Sequence, residues 1–168
     1  MTTETPVRLK IRERSCGTCT KCCEGYLLAT VGDIDLFPGK PCHFVEINSG
    51  CSVYEDRPED PCRVFKCEWL TQPLIPEWLK PNLSNVIFVS YDPNPDYPLD
   101  NIKAYGYTAL VEAGGKLTAQ TLSWAIAHYT FNGFNLYWEY DHGTGGAIGS
   151  EDFLKAYYGA GYKAGRKE

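Results

Sequence analysis

The placement of the cysteines constrains this chain more than any other feature of its sequence. All eight lie within residues 16–67, and the rest of the chain contains none: they are Cys16, Cys19, Cys22, Cys23, Cys42, Cys51, Cys62 and Cys67. Thiols at this density indicate a metal site or a framework of disulfides, because packing alone rarely needs them.

The expected compartment favours a metal over disulfides. Residues 1–14 are polar and lack the apolar stretch of a secretory signal. No segment approaches the roughly 20 apolar residues that a membrane span needs. We therefore expect a cytoplasmic protein without a membrane partner, in which thiols stay reduced and structural disulfides are rare. Disulfides remain the alternative if a precursor is trimmed or if the source is a hyperthermophile.

Length and charge limit the possible classes of protein. The chain has 168 residues, 43% of them hydrophobic, which suits one compact domain. Its net charge of −5 argues against nucleic acid as a partner, since that needs a clustered basic face. We divide the chain into an N-terminal extension (1–15), a cysteine-cluster region (16–70) and an α+β scaffold (71–168).

The cysteine-cluster region has few periodic apolar runs. Residues 26–31 are strand-like, Asp33 is a candidate cap for a short helical turn, and Gly- and Pro-rich turns follow. Such a segment buries little apolar surface, so a metal would replace the missing hydrophobic core. We expect an α+β fold in which a metal-stapled, Cys-rich N-terminal lobe packs on a small sheet with one main helix.

The scaffold region carries the patterns of strands and helices. Alternating β-branched and aromatic residues predict strands at 86–91, 102–112 and 134–140. Residues 118–130 have helical periodicity, with Thr118 as N-cap and Gly133 as the stop. The apolar face of this helix consists of Leu122, Ala125, Ile126 and Tyr129. Ser150 begins a second helix that ends near Gly159, and we expect residues 141–150 to form a mobile loop without phosphate-binding spacing.

The thiol spacing points to metal chemistry. The run Cys16-x-x-Cys19-x-x-Cys22 places three sulfurs on one tight loop, as zinc knuckles and iron–sulfur loops do. The side chains of Cys22 and Cys23 point apart because they are adjacent, so we predict that they do not share one mononuclear ion. Eight thiolates make two four-cysteine sites by count, although four ligands and four spare thiols are equally allowed.

Four segments together resemble a known family. They are Cys16-x-x-Cys19-x-x-Cys22-Cys23, Pro41-Cys42-x-Phe44, Gly50-Cys51-Ser-Val-Tyr54-Glu-Asp-Arg57-Pro58 and Cys62-Arg63-x-Phe65-x-Cys67. In this order they are similar to the YkgJ-like cysteine-cluster family, described as zinc- or iron-chelating CxxCxxCC domains. The resemblance covers about residues 16–67. It implies an iron–sulfur-containing protein without an assigned reaction.

Four other side chains are weaker candidates. Arg57 and Arg63 could offset the negative charge of thiolates around a centre and tune its potential, or Arg57 could simply pair with Glu55 or Asp60 in a turn. His43 could be a further ligand, but eight cysteines leave little need for it. We expect His128 to be a half-buried surface residue.

Two classes of function remain from the sequence. The first is a redox or electron-transfer protein with an iron–sulfur centre and an unknown protein or redox partner. The alternative is a zinc-stapled interaction or metal-handling protein without catalysis. Both metals accept tetrahedral thiolates, so spacing does not separate them. No catalytic constellation is recognisable, which leaves enzymatic activity uncertain.

Overall fold

The computed structural model describes residues 13–140 and 144–159, and its fold is a mixture of helices and sheet. The strands in this part of the chain are β1 (Ala29–Val31), β2 (Ile34–Leu36), β3 (Val45–Glu46), β4 (Gly50–Cys51), β5 (Val86–Tyr91), β6 (Tyr107–Glu112), β7 (Leu136–Glu139) and β8 (Gly145–Ile148). The α-helices are α1 (Glu68–Thr71), α2 (Pro81–Ser84), α3 (Ala119–Asn132) and α4 (Glu151–Tyr158). The predicted α+β class is confirmed.

The main sheet has four strands in the order β5-β6-β7-β8. Strand β6 is antiparallel to β5 and parallel to β7, and β7 is antiparallel to β8. A parallel pair needs a crossover connection, and α3 lies in the connection between β6 and β7. The cysteine region contains two small antiparallel hairpins instead, β1–β2 and β3–β4.

Several predicted elements of the scaffold are confirmed. Strand β5 matches the predicted range, and the main helix extends two residues past the predicted end, to Asn132. The Thr118 hydroxyl accepts a hydrogen bond from the Thr121 N–H, and Gly133 ends the helix with φ 69°. The Ser150 hydroxyl caps α4 in the same way, and Gly159 follows the last turn.

Four predictions of local structure need correction. The predicted strand 134–140 is shorter in the structure and comprises only β7. The predicted strand 102–112 begins only at Tyr107. The Asn101 side chain accepts a hydrogen bond from the Lys103 N–H and so stabilises a 3₁₀ turn at Ile102–Ala104 instead. The strand-like run 26–31 becomes strand only at Ala29. Asp33 does not cap a helix, because it follows Gly32, whose φ of 62° suits the tight turn between β1 and β2.

Residues 141–150 contain a strand that the sequence did not predict. Residues 141–143 lie outside the described part of the chain, whereas residues 145–148 form β8 against β7. A Cβ at Gly146 would lie 2.4 Å from the ring of Trp138. The glycines therefore permit close approach to β7, and their presence does not mark a mobile loop here.

The main core lies between the sheet, α3 and the short helices after the cysteine region. Ala125 and Tyr129 of α3 are buried in it, and Leu122 and Ile126 pack against it, so the predicted contact face of the helix is confirmed. The carboxylate of Glu68, in α1, is buried in the fold. It accepts hydrogen bonds from the hydroxyls of Thr108 and Tyr129. This contact ties the end of the cysteine region to β6 and α3.

The helices of the described residues are all too short or too polar to cross a bilayer.

Candidate metal centre

All eight cysteines line a single cavity of about 500 Å³. Each is a free thiol, and Cys42 and Cys67 are buried. The fold thus brings together every cysteine that the sequence singled out as a candidate ligand, across a chain separation from residue 16 to residue 67.

The thiols surround this cavity and do not converge on one point. Within residues 13–140 and 144–159, no three His, Cys, Asp or Glu side chains lie close enough to hold one metal ion. A zinc ion with four thiolates at about 2.3 Å needs sulfur atoms about 3.8 Å apart. The arrangement leaves open space at the centre of the thiol donors.

The cysteines pack on two different cores. Cys67 belongs to the main core, and Cys22 packs against it. Cys42 belongs to a separate small core with Val31 and Leu36. Cys23 and Cys62 pack against that small core. The adjacent residues Cys22 and Cys23 therefore pack against different cores.

Backbone contacts fix the segments that carry the thiols. The Cys19 N–H donates to the Cys16 carbonyl at 2.9 Å, which closes the first turn. Gly25 has φ 88°, and a Cβ there would lie 2.3 Å from the Phe37 carbonyl oxygen. Only glycine lets the chain turn back so closely after the double cysteine.

Burial makes these thiols reluctant to ionise without a positive partner. It raises the pKa of Cys22 well above the ordinary thiol value, and neighbouring thiols, Cys67 first, raise it further. Burial also raises the pKa of Cys23 to about 12, with Cys42 as the largest neighbouring contribution. The pKa of Cys67 rises to about 11 through burial, although the Leu70 N–H partly lowers it. A bound cation would supply the missing compensation.

The charge of Arg57 acts on two of the thiols, those of Cys16 and Cys62. Burial raises the pKa of Cys16 and of Cys62, and the guanidinium of Arg57 partly lowers both. Its Nε donates to the Cys62 carbonyl at 3.2 Å, and the guanidinium lies 3.9 Å from the centre of the Tyr54 ring. Arg57 therefore lies on the cavity wall, in contact with Cys62 and Tyr54.

Arg63 lines the same cavity but holds the loop around it. Its Nε donates to the Arg57 carbonyl at 2.9 Å, and its other end donates to the Glu55 carbonyl. It also lies 3.9 Å from the Glu59 carboxylate. The contacts of Arg63 therefore position Arg57, whose charge acts on Cys16 and Cys62.

Sequence reasoning missed three residues at this site. Lys80 partly lowers the raised pKa of Cys16, and its amine lies 4.8 Å from the Trp69 ring. Trp69 lines the cavity, and its Nε1 is buried without a hydrogen-bond partner among the described residues. Arg14 donates to the carbonyls of Trp69 and Ile75 at 2.6 and 2.7 Å and so anchors the segment before Cys16. Arg14 and Trp69 flank the cysteine segment, two residues from Cys16 and Cys67, a signal that the sequence analysis did not use. Lys80 gave no such signal, because the tertiary fold brings it to the thiols.

The histidines take little part in this site. His43 is exposed, with its ring 3.8 Å from that of Phe44. His128 is half-buried as expected, and its ring stacks on Trp124 at 4.6 Å. His142 lies outside the described residues.

Comparison with models of known protein families, with curated proteins and with solved structures gave no match to this chain. The similarity of residues 16–67 to the YkgJ-like family stays a prediction from the cysteine motifs.

Proposed function

We propose that this chain is a metal-binding cysteine-cluster protein that carries an iron–sulfur centre and has a redox or electron-transfer role. The observation that carries the proposal is the cavity of about 500 Å³ with all eight free thiols on its walls. Thiolates are the donors that iron–sulfur clusters and zinc select. The donor set therefore fits the proposed group, and all eight cysteines are candidates to hold it.

The open space between the thiols favours a polyatomic cluster over a single zinc ion. Four thiolates around zinc touch one another and leave no cavity at their centre. A cluster of iron and sulfide fills such a space while its thiolate ligands stay on the walls. When bound, such a cluster would carry one electron at a time.

Residues around the cavity suit a group with net negative charge. Arg57 and Lys80 bring positive charge to the Cys16 side. Among the described residues, the buried Nε1–H of Trp69 has no hydrogen-bond acceptor, and buried donors of this kind are costly unless paired. A sulfur-rich anion at the cavity would accept from this donor and offset that cost.

In this proposal the centre also holds the N-terminal lobe together. The small core that supports Cys23, Cys42 and Cys62 rests on two buried aliphatic residues, Val31 and Leu36. Metal–thiolate bonds would supply the stability that so small a core lacks, on the order of 10 kcal/mol for a structural site. The stapled lobe would pack on the scaffold through Cys67 and Phe65.

This small core also favours the second candidate function. A zinc-stapled interaction or metal-handling protein without catalysis would need the same lobe and no redox chemistry. Both proposals place the protein in the reducing cytoplasm, with a protein or redox partner and without nucleic acid.

Anaerobic purification separates the candidates. We expect brown protein that contains iron and acid-labile sulfide and whose spectrum bleaches on reduction with dithionite. Colourless protein with stoichiometric zinc would support the second candidate. Protein that takes up neither metal, even after reconstitution under reducing conditions, would overturn both.

A further inference from the structure

We infer that the eight thiols form two four-cysteine centres that share one cavity, a deepening that rests on the proposed function. The core-side set consists of Cys16, Cys19, Cys22 and Cys67. The hairpin-side set consists of Cys23, Cys42, Cys51 and Cys62.

Packing separates the first members of each set. Cys22 and Cys67 contact the main core, whereas Cys23, Cys42 and Cys62 contact the small core built on Val31 and Leu36. Two neighbouring residues of the chain thus belong to different centres, and the Cys22–Cys23 peptide lies between them.

The β3–β4 hairpin places Cys51 in the second set. Cys51 pairs with Val45 across the hairpin, and Val45 packs against the small core. The Val45 N–H donates to the Cys42 carbonyl at 3.1 Å, and the Cys42 N–H donates to the Cys23 carbonyl at 2.8 Å. A continuous backbone path therefore links three members of the hairpin-side set.

Cys16 and Cys19 complete the first set. Their turn is closed by the Cys19 N–H and leads directly into Cys22. The Arg14 guanidinium donates to the carbonyls of Trp69 and Ile75, which holds the segment before Cys16 against the segment after Cys67.

The two sets are adjacent and not isolated. A Cβ at Gly50 would lie 2.9 Å from the Gly17 carbonyl oxygen, so the turn after Cys16 lies against the hairpin that carries Cys51. Both sets therefore line the same cavity.

Alkylation of single variants tests the partition. Cys67→Ser and Cys51→Ser each remove one thiol, one from each set. Both variants and the unaltered chain are reconstituted anaerobically with iron and sulfide, treated with iodoacetamide and mapped by mass spectrometry. We expect Cys67→Ser to expose Cys16, Cys19 and Cys22 to alkylation, and Cys51→Ser to expose Cys23, Cys42 and Cys62. The other four thiols stay protected in each variant, and iron content falls by about half.

Double variants with equal numbers of lost thiols extend the test. Cys16→Ser with Cys67→Ser breaks one set and should retain half of the iron, whereas Cys67→Ser with Cys42→Ser breaks both and should retain almost none. Equal retention in the two doubles, or alkylation of all seven thiols in both single variants, would overturn the partition. If the proposed function is wrong, all eight thiols of the unaltered chain react with iodoacetamide after reconstitution. That outcome differs from a failure of the partition alone, in which the thiols of the unaltered chain stay protected.

Discussion

The backbone N–H of Cys42 donates a 2.8 Å hydrogen bond to the carbonyl oxygen of Cys23. Both side chains contact the small core with Val31 and Leu36. The bond fixes the relative position of two candidate ligands through the backbone, which is stiffer than two free side chains would be. Part of the hairpin-side set is therefore held in place by the fold itself.

Removal of metal should unfold the cysteine region and spare the scaffold. Under reducing conditions, chelation is expected to abolish protease resistance around residues 16–67, because the small core has few buried apolar residues. Peptides from β5 to α3 should stay protected, since the main core surrounds them. The measurement is limited proteolysis with mass spectrometry. Unchanged protection in protein shown to be free of metal would contradict the prediction.

Arg57→Gln should lower the reduction potential of the centre. Reduction adds negative charge, and the guanidinium that acts on Cys16 and Cys62 stabilises it. We expect a shift on the order of tens of mV to more negative values, measured by redox titration. Arg63→Gln is the matched control because its contacts hold backbone carbonyls and Glu59. Equal shifts in both variants would refute a specific role of Arg57.

Gly25→Ala should cost more stability than Gly39→Ala. The two glycines have nearly the same φ, 88° and 92°, so both substitutions carry the strain of a left-handed conformation, about 1–2 kcal/mol. An added Cβ at residue 25 would collide with the Phe37 backbone, while the added Cβ at residue 39 has nothing within 4 Å. We expect Gly25→Ala to lower the free energy of unfolding by about 1–3 kcal/mol more than Gly39→Ala does. Chemical denaturation of the two metal-loaded variants measures the difference, and equal losses would contradict the close approach.

Tyr129→Phe should destabilise the junction between the cysteine region and the sheet. It leaves one oxygen of the buried Glu68 carboxylate without its hydroxyl donor, at a cost of about 1–3 kcal/mol. Tyr137→Phe serves as the control, since it removes a hydroxyl that contacts Glu139 in an exposed position, and we expect a change within about 0.5 kcal/mol. Thermal unfolding of both variants is the measurement. If Tyr129→Phe lowers the free energy of unfolding no more than Tyr137→Phe does, the contact between Tyr129 and Glu68 is contradicted.

Metal affinity should rise steeply with pH. Thiols hold their protons at neutral pH because their ordinary pKa is 9.0, so each thiolate formed on metal binding releases a proton, and affinity increases about tenfold per pH unit for each. Because metal removal is expected to unfold the cysteine region, the thiols of the metal-free chain lose the burial that raises their pKa, and the pH dependence should flatten above pH 9. Cobalt(II) titrations from pH 7 to pH 10, followed by thiolate-to-cobalt absorption, give the slope. Cys23→Ser should lower the slope below pH 9 by about one proton, and an affinity that does not change between pH 7 and pH 9 would contradict the release of thiol protons.

Local patterns predicted most of the scaffold. Strand β5 and helix α3 follow from side-chain periodicity and from the Thr118 and Gly133 caps, which act within a few residues. Strand β8 was missed because its glycines suggest flexibility until Trp138 of the neighbouring strand is in place. Its formation depends on a contact across the sheet, which no local pattern encodes.

Some features of the candidate site follow from the local sequence, whereas others depend on the tertiary fold. Adjacent side chains diverge, so the sequence already indicates that Cys22 and Cys23 pack against different surroundings. Spacing does not tell which later cysteine joins which of them, because that depends on the hairpins and the two cores. The contribution of Lys80 likewise depends on how the scaffold packs behind the thiols.

The burial of Cys67 in the main core has a consequence for the order of assembly during synthesis. The same core includes Phe88 and Tyr129, which the ribosome adds after the last cysteine. The hairpin-side thiols, by contrast, lie against residues that precede Cys62 in the chain. A nascent chain could therefore load the hairpin-side centre while it is still attached to the ribosome. The core-side centre would be completed later, when β5 and α3 have been synthesised and have packed around its last ligand.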